Sequence, residues 1–132
     1  MLYAMFALSM LTIFVGLVGV RARIVNVRNG SLDPRYFALM EGTEVPEAVI
    51  KSNRCFINLF EVPVLFYVVC TLYIALGLES LFMLVIAWLF VVSRVCQAAV
   101  HLTYNYYRHR MIGFGVSVLC VFVLWVGLVV GR

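Results

Sequence analysis

What this sequence has least of is charge. Asp, Glu, Lys and Arg make up 12% of its 132 residues, six acids against ten bases. A soluble domain of this length buries about two-thirds of its surface and still needs a polar exterior, which so few charges cannot supply. With 65% hydrophobic residues and a mean hydropathy of +1.08, a water-soluble monomer is excluded, and lipid must cover much of the chain. Disorder is excluded on the same figures, because disordered chains are poor in apolar and aromatic residues. The four cysteines share no Cys-x-x-Cys or Cys-x-x-His spacing, so they read as thiols in helix packing, and no metal site is expected. Internal repeats, low-complexity tracts and a second domain are all missing as well.

What is present is apolar sequence in four long blocks. They predict an all-α membrane protein, a single four-transmembrane-helix bundle over residues 1–132 with helices at about 2–20, 46–77, 81–107 and 111–130. Each apolar block is near the ~20 residues that cross ~30 Å of hydrocarbon at ~1.5 Å per residue. The second block contains Asn58 and Glu61. Thirteen Leu, Ile, Phe and Val residues between Cys55 and Gly77, at roughly 0.3 to 0.6 kcal/mol each, outweigh about 3 kcal/mol for one central carboxylate, so the segment still inserts. If it starts at Pro46, a good first helical residue with Glu44 and Glu47 near its positive end, and runs unbroken to Gly77, the helix is roughly 48 Å long. The first block does not read as a cleaved secretory signal: no basic residue precedes it, it is too long, and Arg21, Arg23 and Arg28 follow it. Asn29, Gly30, Ser31, Asp33 and Pro34 look like turn chemistry.

Basic residues sort the loops. Arg21, Arg23, Arg28, Arg35 and Lys51 lie between the first and second spans, Arg108 and Arg110 between the third and fourth, and the turn between the second and third carries only Glu79. By the positive-inside rule both termini face outward and both basic loops face the cytoplasm. The net charge of +4 is then juxtamembrane, matched by anionic lipid head groups, and no nucleic-acid partner is expected.

Ionisable residues within spanning segments are functional candidates, because charge in hydrocarbon is expensive. Arg54, Asn58 and Glu61 stack at i, i+4, i+7 on one face of an unbroken second helix. Arg94, Gln97, His101 and Tyr104 do the same on the third at i, i+3, i+7, i+10, and Arg108 and Arg110 open the fourth at the same level. One reading pairs Glu61 with Arg94 and bonds Asn58 across helices, holding the bundle with no ligand. The excess of cations, with Arg54, Arg94, Arg108 and Arg110 around the single acid Glu61, argues instead for an anionic ligand. Gly113 and Gly115 read as close-packing positions. A proton or ion pathway centred on Glu61 and Arg94 is a further reading.

The run from Arg54 to Phe66, with Asn58 four residues after the arginine, Glu61 three later and then Pro63, resembles the second-helix motif of the MAPEG family, the membrane-associated proteins of eicosanoid and glutathione metabolism. Arg94 and the positions below it, and Arg110 opening the fourth helix, continue the likeness over the whole chain, with the bacterial branch nearest. The resemblance implies a homotrimer in a bacterial inner membrane, with glutathione as co-substrate between protomers near the cytoplasmic face. It implies that Arg54, Asn58, Glu61, Arg94, Gln97, His101, Tyr104 and Arg108 surround the tripeptide while Arg110 stabilises its thiolate. An apolar co-substrate would arrive from lipid, making the protein a glutathione-dependent transferase or peroxidase acting on a lipophilic electrophile. Met111 and Phe114, where some members carry Ser and Tyr, favour the alternative: a non-catalytic lipid-binding or scaffolding protein of the same fold.

Overall fold

The computed structural model describes residues 1–33, 35–36 and 45–131; Pro34 and Glu44, assigned above to a turn and a helix start, lie outside the described residues. The described chain is all α: α1 (Leu2–Arg28), α2 (Glu47–Asn58), α3 (Val62–Leu76), α4 (Leu81–Leu102) and α5 (Tyr107–Val130). Four helical stretches, Leu2–Arg28, Glu47–Leu76, Leu81–Leu102 and Tyr107–Val130, are long and apolar enough to cross a membrane. The protein is therefore an integral multi-pass membrane protein.

The helix ends follow local chemistry. α1 runs eight residues beyond the expected stop at 20, because nothing between Arg21 and Arg28 breaks a helix. It closes at Asn29 and Gly30, where the glycine takes a left-handed φ of 71° and the Ser31 amide returns to the Asn26 carbonyl at 2.9 Å. α4 starts at Ser80, whose hydroxyl accepts from the Met83 amide at 3.3 Å. It ends at Leu102, five residues before the expected 107, and α5 begins at Tyr107, four before the expected 111. The reversal is made by residues 103–106, with Asn105 in the left-handed region at φ 52°.

The unbroken second helix expected from 46 to 77 is a correction. It is divided at residues 59–61, and Pro63 is the cause. Proline offers no N–H to the carbonyl four residues earlier, and its ring clashes with that carbonyl at Leu59. The chain leaves the helical region at Glu61 (φ −84°, ψ −88°) and restarts as α3 with Pro63 in its first turn. Two helix ends thus lie inside one span, and the main-chain groups they free need partners.

α4 and α5 form the most extensive helix pair. Gly113 lets them approach, since a Cβ there would sit 3.1 Å from the Cβ of Gln97, whereas Gly115 faces open space; only the first of the two expected close-packing glycines serves that purpose. Away from the basic loops the core is apolar: Ala4, Leu8, Phe66, Val69, Cys70, Ala87, Phe90 and Leu124 are buried together, with Phe66 and Phe90 stacked at 4.2 Å. The Tyr73 hydroxyl donates to the Leu124 carbonyl at 3.0 Å. Cys55, Cys70 and Cys120 are buried as expected of packing thiols, while Cys96 is exposed. Large apolar side chains such as Phe6, Phe14, Leu17, Phe122 and Val129 point outward, the pattern of a lipid-facing surface.

Candidate functional site

The division at Pro63 sets up a buried polar cluster. Asn58 is the last residue of α2, so its carbonyl belongs to the helix's unpaired C-terminal group, where partial negative charge gathers. Arg94, on α4, fills that need: its Nη2 donates to the Asn58 carbonyl at 2.6 Å. Nη1 donates to Gln97 Oε1, one helical turn on, at 2.6 Å. Gln97 Nε2 continues to Asn58 Oδ1 at 3.2 Å, and Asn58 Nδ2 to Glu61 Oε2 at 3.2 Å. The chain of bonds therefore runs from a guanidinium that is 1% exposed to a carboxylate at the surface. The Arg94 guanidinium also lies 5.8 Å from the centre of the Phe90 ring.

The Glu61–Arg94 ion pair of the ligand-free reading is not formed. Ion pairs among the described residues are Met1 with Glu79 and Lys51 with Glu47. Glu61 acts on Arg94 electrostatically, but the break swings it into the turn, and Asn58 with Gln97 stands between them. Arg94 is thus a buried cation held by two acceptors, a helix-end carbonyl and a side-chain amide, with its Nε unpartnered and no acid in contact.

Arg110, half-buried near the start of α5, supplies the second cation. Its Nη1 donates to Asn105 Oδ1 at 3.0 Å, while its Nε is buried without a partner. Of the five N–H donors on a guanidinium, one is bonded within the protein. Asn58, Gln97, Tyr107, Arg110, Met111 and Phe114 line an open cavity of about 270 Å³. Across Gln97, a more apolar cavity of about 350 Å³ lies between α4 and α5, lined by Ser93, Cys96, Val100, Tyr104 and His109 among others.

Of the residues expected at the site, the structure brings Asn58, Glu61, Arg94 and Gln97 into one hydrogen-bonded cluster, of which Asn58 and Gln97 line the cavity together with Arg110. His101 is 1% exposed, neither ring nitrogen has a partner, and the charges of Arg110 and Arg54 reach it. Tyr104 does not join: it falls past the end of α4, and its hydroxyl pairs with His109 Nδ1 at 2.8 Å. Arg108 is exposed and bonds the Tyr107 hydroxyl through Nε at 3.1 Å. Arg54 is exposed on α2, one turn before Asn58, and takes no part in the cluster. Sequence reasoning missed Asn105 and Tyr107; the left-handed turn that brings Asn105 to Arg110 leaves no periodic signal.

Comparison with curated proteins and with solved structures gives no match. The family model of the MAPEG family matches residues 1–130 of the chain. That match spans all four membrane helices and both polar helix segments, and it places this protein in the MAPEG family, whose members act in membranes in eicosanoid and glutathione metabolism.

Proposed function

We propose that the protein binds glutathione in the cavity beside Arg110 and presents its thiolate to a lipophilic electrophile or peroxide entering from the bilayer. The observation that carries this reading is Arg110 itself: a half-buried cation on a cavity wall, one of its donors bonded and its Nε buried without a partner. A nearby cation favours the thiolate, which is the nucleophilic form. Each unit by which the thiol pKa falls takes about 1.4 kcal/mol of preference for the charged state, within reach of one guanidinium in a partly dry site. Asn58 and Gln97 face the same cavity with amide groups suited to a peptide. Arg94, with both Nη atoms engaged, ties the Gln97 side chain and the Asn58 main chain together behind them.

The chemistry balances simply. In transfer, the thiolate sulfur bonds to an electrophilic carbon while the leaving group departs with the bonding pair. In peroxide reduction, the sulfur bonds to the terminal oxygen as a sulfenic acid, the O–O bond breaks, and the departing alkoxide takes a proton. The thiol of a second glutathione then attacks that sulfur, the S–O bond breaks, and the disulfide and water leave.

At about 270 Å³ the cavity lies just below the ~300–1,000 Å³ usual for ligand sites, so one protomer covers only part of a tripeptide. A homotrimer supports the reading, because a neighbouring copy would complete the site and give exposed Arg54 and Arg108 an anionic partner. In this topology both termini lie outside and the basic loops lie in the cytoplasm, where glutathione is available.

Addition of glutathione to the detergent-purified protein is expected to produce thiolate absorbance, abolished by Arg110→Ala and weakened by Glu61→Gln. A flat titration on intact trimer overturns the reading. One observation favours a second reading, a non-catalytic lipid-binding member: past Arg110 the cavity wall on α5 is Met111 and Phe114, both exposed and apolar, and the hydroxyl on that wall, of Tyr107, already accepts from Arg108.

A further inference from the structure

Asn105 is the one described residue other than glycine with a left-handed backbone, at φ 52°. That conformation is disfavoured for residues with a Cβ, and asparagine is among the few that tolerate it. Two contacts depend on it. The Asn105 amide returns to the Val100 carbonyl at 2.8 Å, closing the end of α4. Its side-chain oxygen then accepts from Arg110 Nη1 at 3.0 Å, five residues ahead and already on α5. Each requirement selects against other residues. Glycine would accept the turn and lose the oxygen. A larger aliphatic residue would lose both. Aspartate would keep the acceptor but set a negative charge against the guanidinium.

We infer that Asn105 is a positioning residue: its left-handed turn and side-chain carbonyl hold the Arg110 guanidinium at the cavity wall with its remaining donors free for an anionic ligand. An arginine near the start of a helix otherwise samples many rotamers, and fixing it costs side-chain entropy on every binding event. A neutral acceptor removes that cost in advance and leaves the positive charge undiminished. The inference rests on the reading of Arg110 as the thiolate-stabilising cation.

The test uses the full-length protein in detergent and two measurements, glutathione affinity by calorimetry and thiolate absorbance against pH. Asn105→Gly keeps the turn, so its thermal unfolding midpoint should fall only slightly, while its dissociation constant should rise up to roughly tenfold, the cost of fixing one free arginine side chain on binding. Its thiolate titration should move to higher pH. Asn105→Asp keeps the acceptor but neutralises the cation, and its titration should move further still. In an Arg110→Ala background, Asn105→Gly should change affinity no further, since the two residues act as one unit. If wild type forms the thiolate and Asn105→Gly titrates identically, or if its effect persists without Arg110, the inference fails and the proposed function stands. If wild type binds no glutathione, both fall together.

Discussion

Arg94 carries the largest burden of any single side chain. Its charge is buried at 1% exposure among helices without a contacting acid; both Nη atoms are satisfied at 2.6 Å, while Nε is buried without a partner. Replacing it by a side chain of similar length and no charge removes the cation and strands two acceptors, the Asn58 carbonyl and Gln97 Oε1. Each stranded buried group costs about 1–3 kcal/mol. Arg94→Met is therefore expected to lower the thermal unfolding midpoint in detergent by many degrees, and to weaken glutathione binding as Asn58 and Gln97 lose their orientation. A variant that melts with wild type would show that water or lipid headgroups reach the cluster and relieve the loss.

At the scale of elements, the break between α2 and α3 decides the site. Pro63→Ala restores an amide at 63 that can donate to the Leu59 carbonyl and removes the ring clash, so the two helices can join. Joining them gives the Asn58 carbonyl an intrahelical donor and withdraws it from Arg94. The expected outcome is stability within about 1–2 kcal/mol of wild type, with stronger protection from hydrogen exchange over residues 58–62 and clearly weaker glutathione binding by calorimetry. The same break marks where the sequence stopped being readable. The four apolar blocks announced the spans, because hydrocarbon thickness fixes helix length. The polar stripe on α4 was also legible, since an uninterrupted helix keeps its phase: Arg94, Gln97 and His101 are all buried. On the second span the same arithmetic misplaced Glu61, which lies past the break, as one proline resets the phase and a periodic count does not register it. Arg54 keeps its phase with Asn58 but lies one turn further out, exposed. Tyr104 was lost in a similar way, lying two residues past the point where α4 stops.

Over the whole molecule the two ends of the bundle do different work. The polar cluster, the unbonded donors of Arg110 and the cavity gather toward the basic loops. The opposite end is packed apolar side chains, tied by Tyr73 to Leu124. Gly127 belongs to that packed end: a Cβ there would run into Met83 and come within 2.8 Å of the Tyr73 hydroxyl. Gly127→Val should destabilise the bundle by about 1–3 kcal/mol through overpacking, visible as a lower midpoint in thermal unfolding. Glutathione affinity, measured below that midpoint, should stay at the wild-type value. Parallel loss of affinity and stability would show that the packed end and the cavity respond as one unit.

The acceptor that secures Arg94 is part of the main chain, and this shapes what inheritance can alter. No codon change at position 58 deletes a carbonyl, so substitutions there can trim the amide network but leave the guanidinium's main-chain tether in place. The vulnerable letter is five positions downstream, in a proline that touches neither cation. A saturation screen of this span should accordingly find the tether tolerant at the residue that forms it and fragile at the residue that merely frees it.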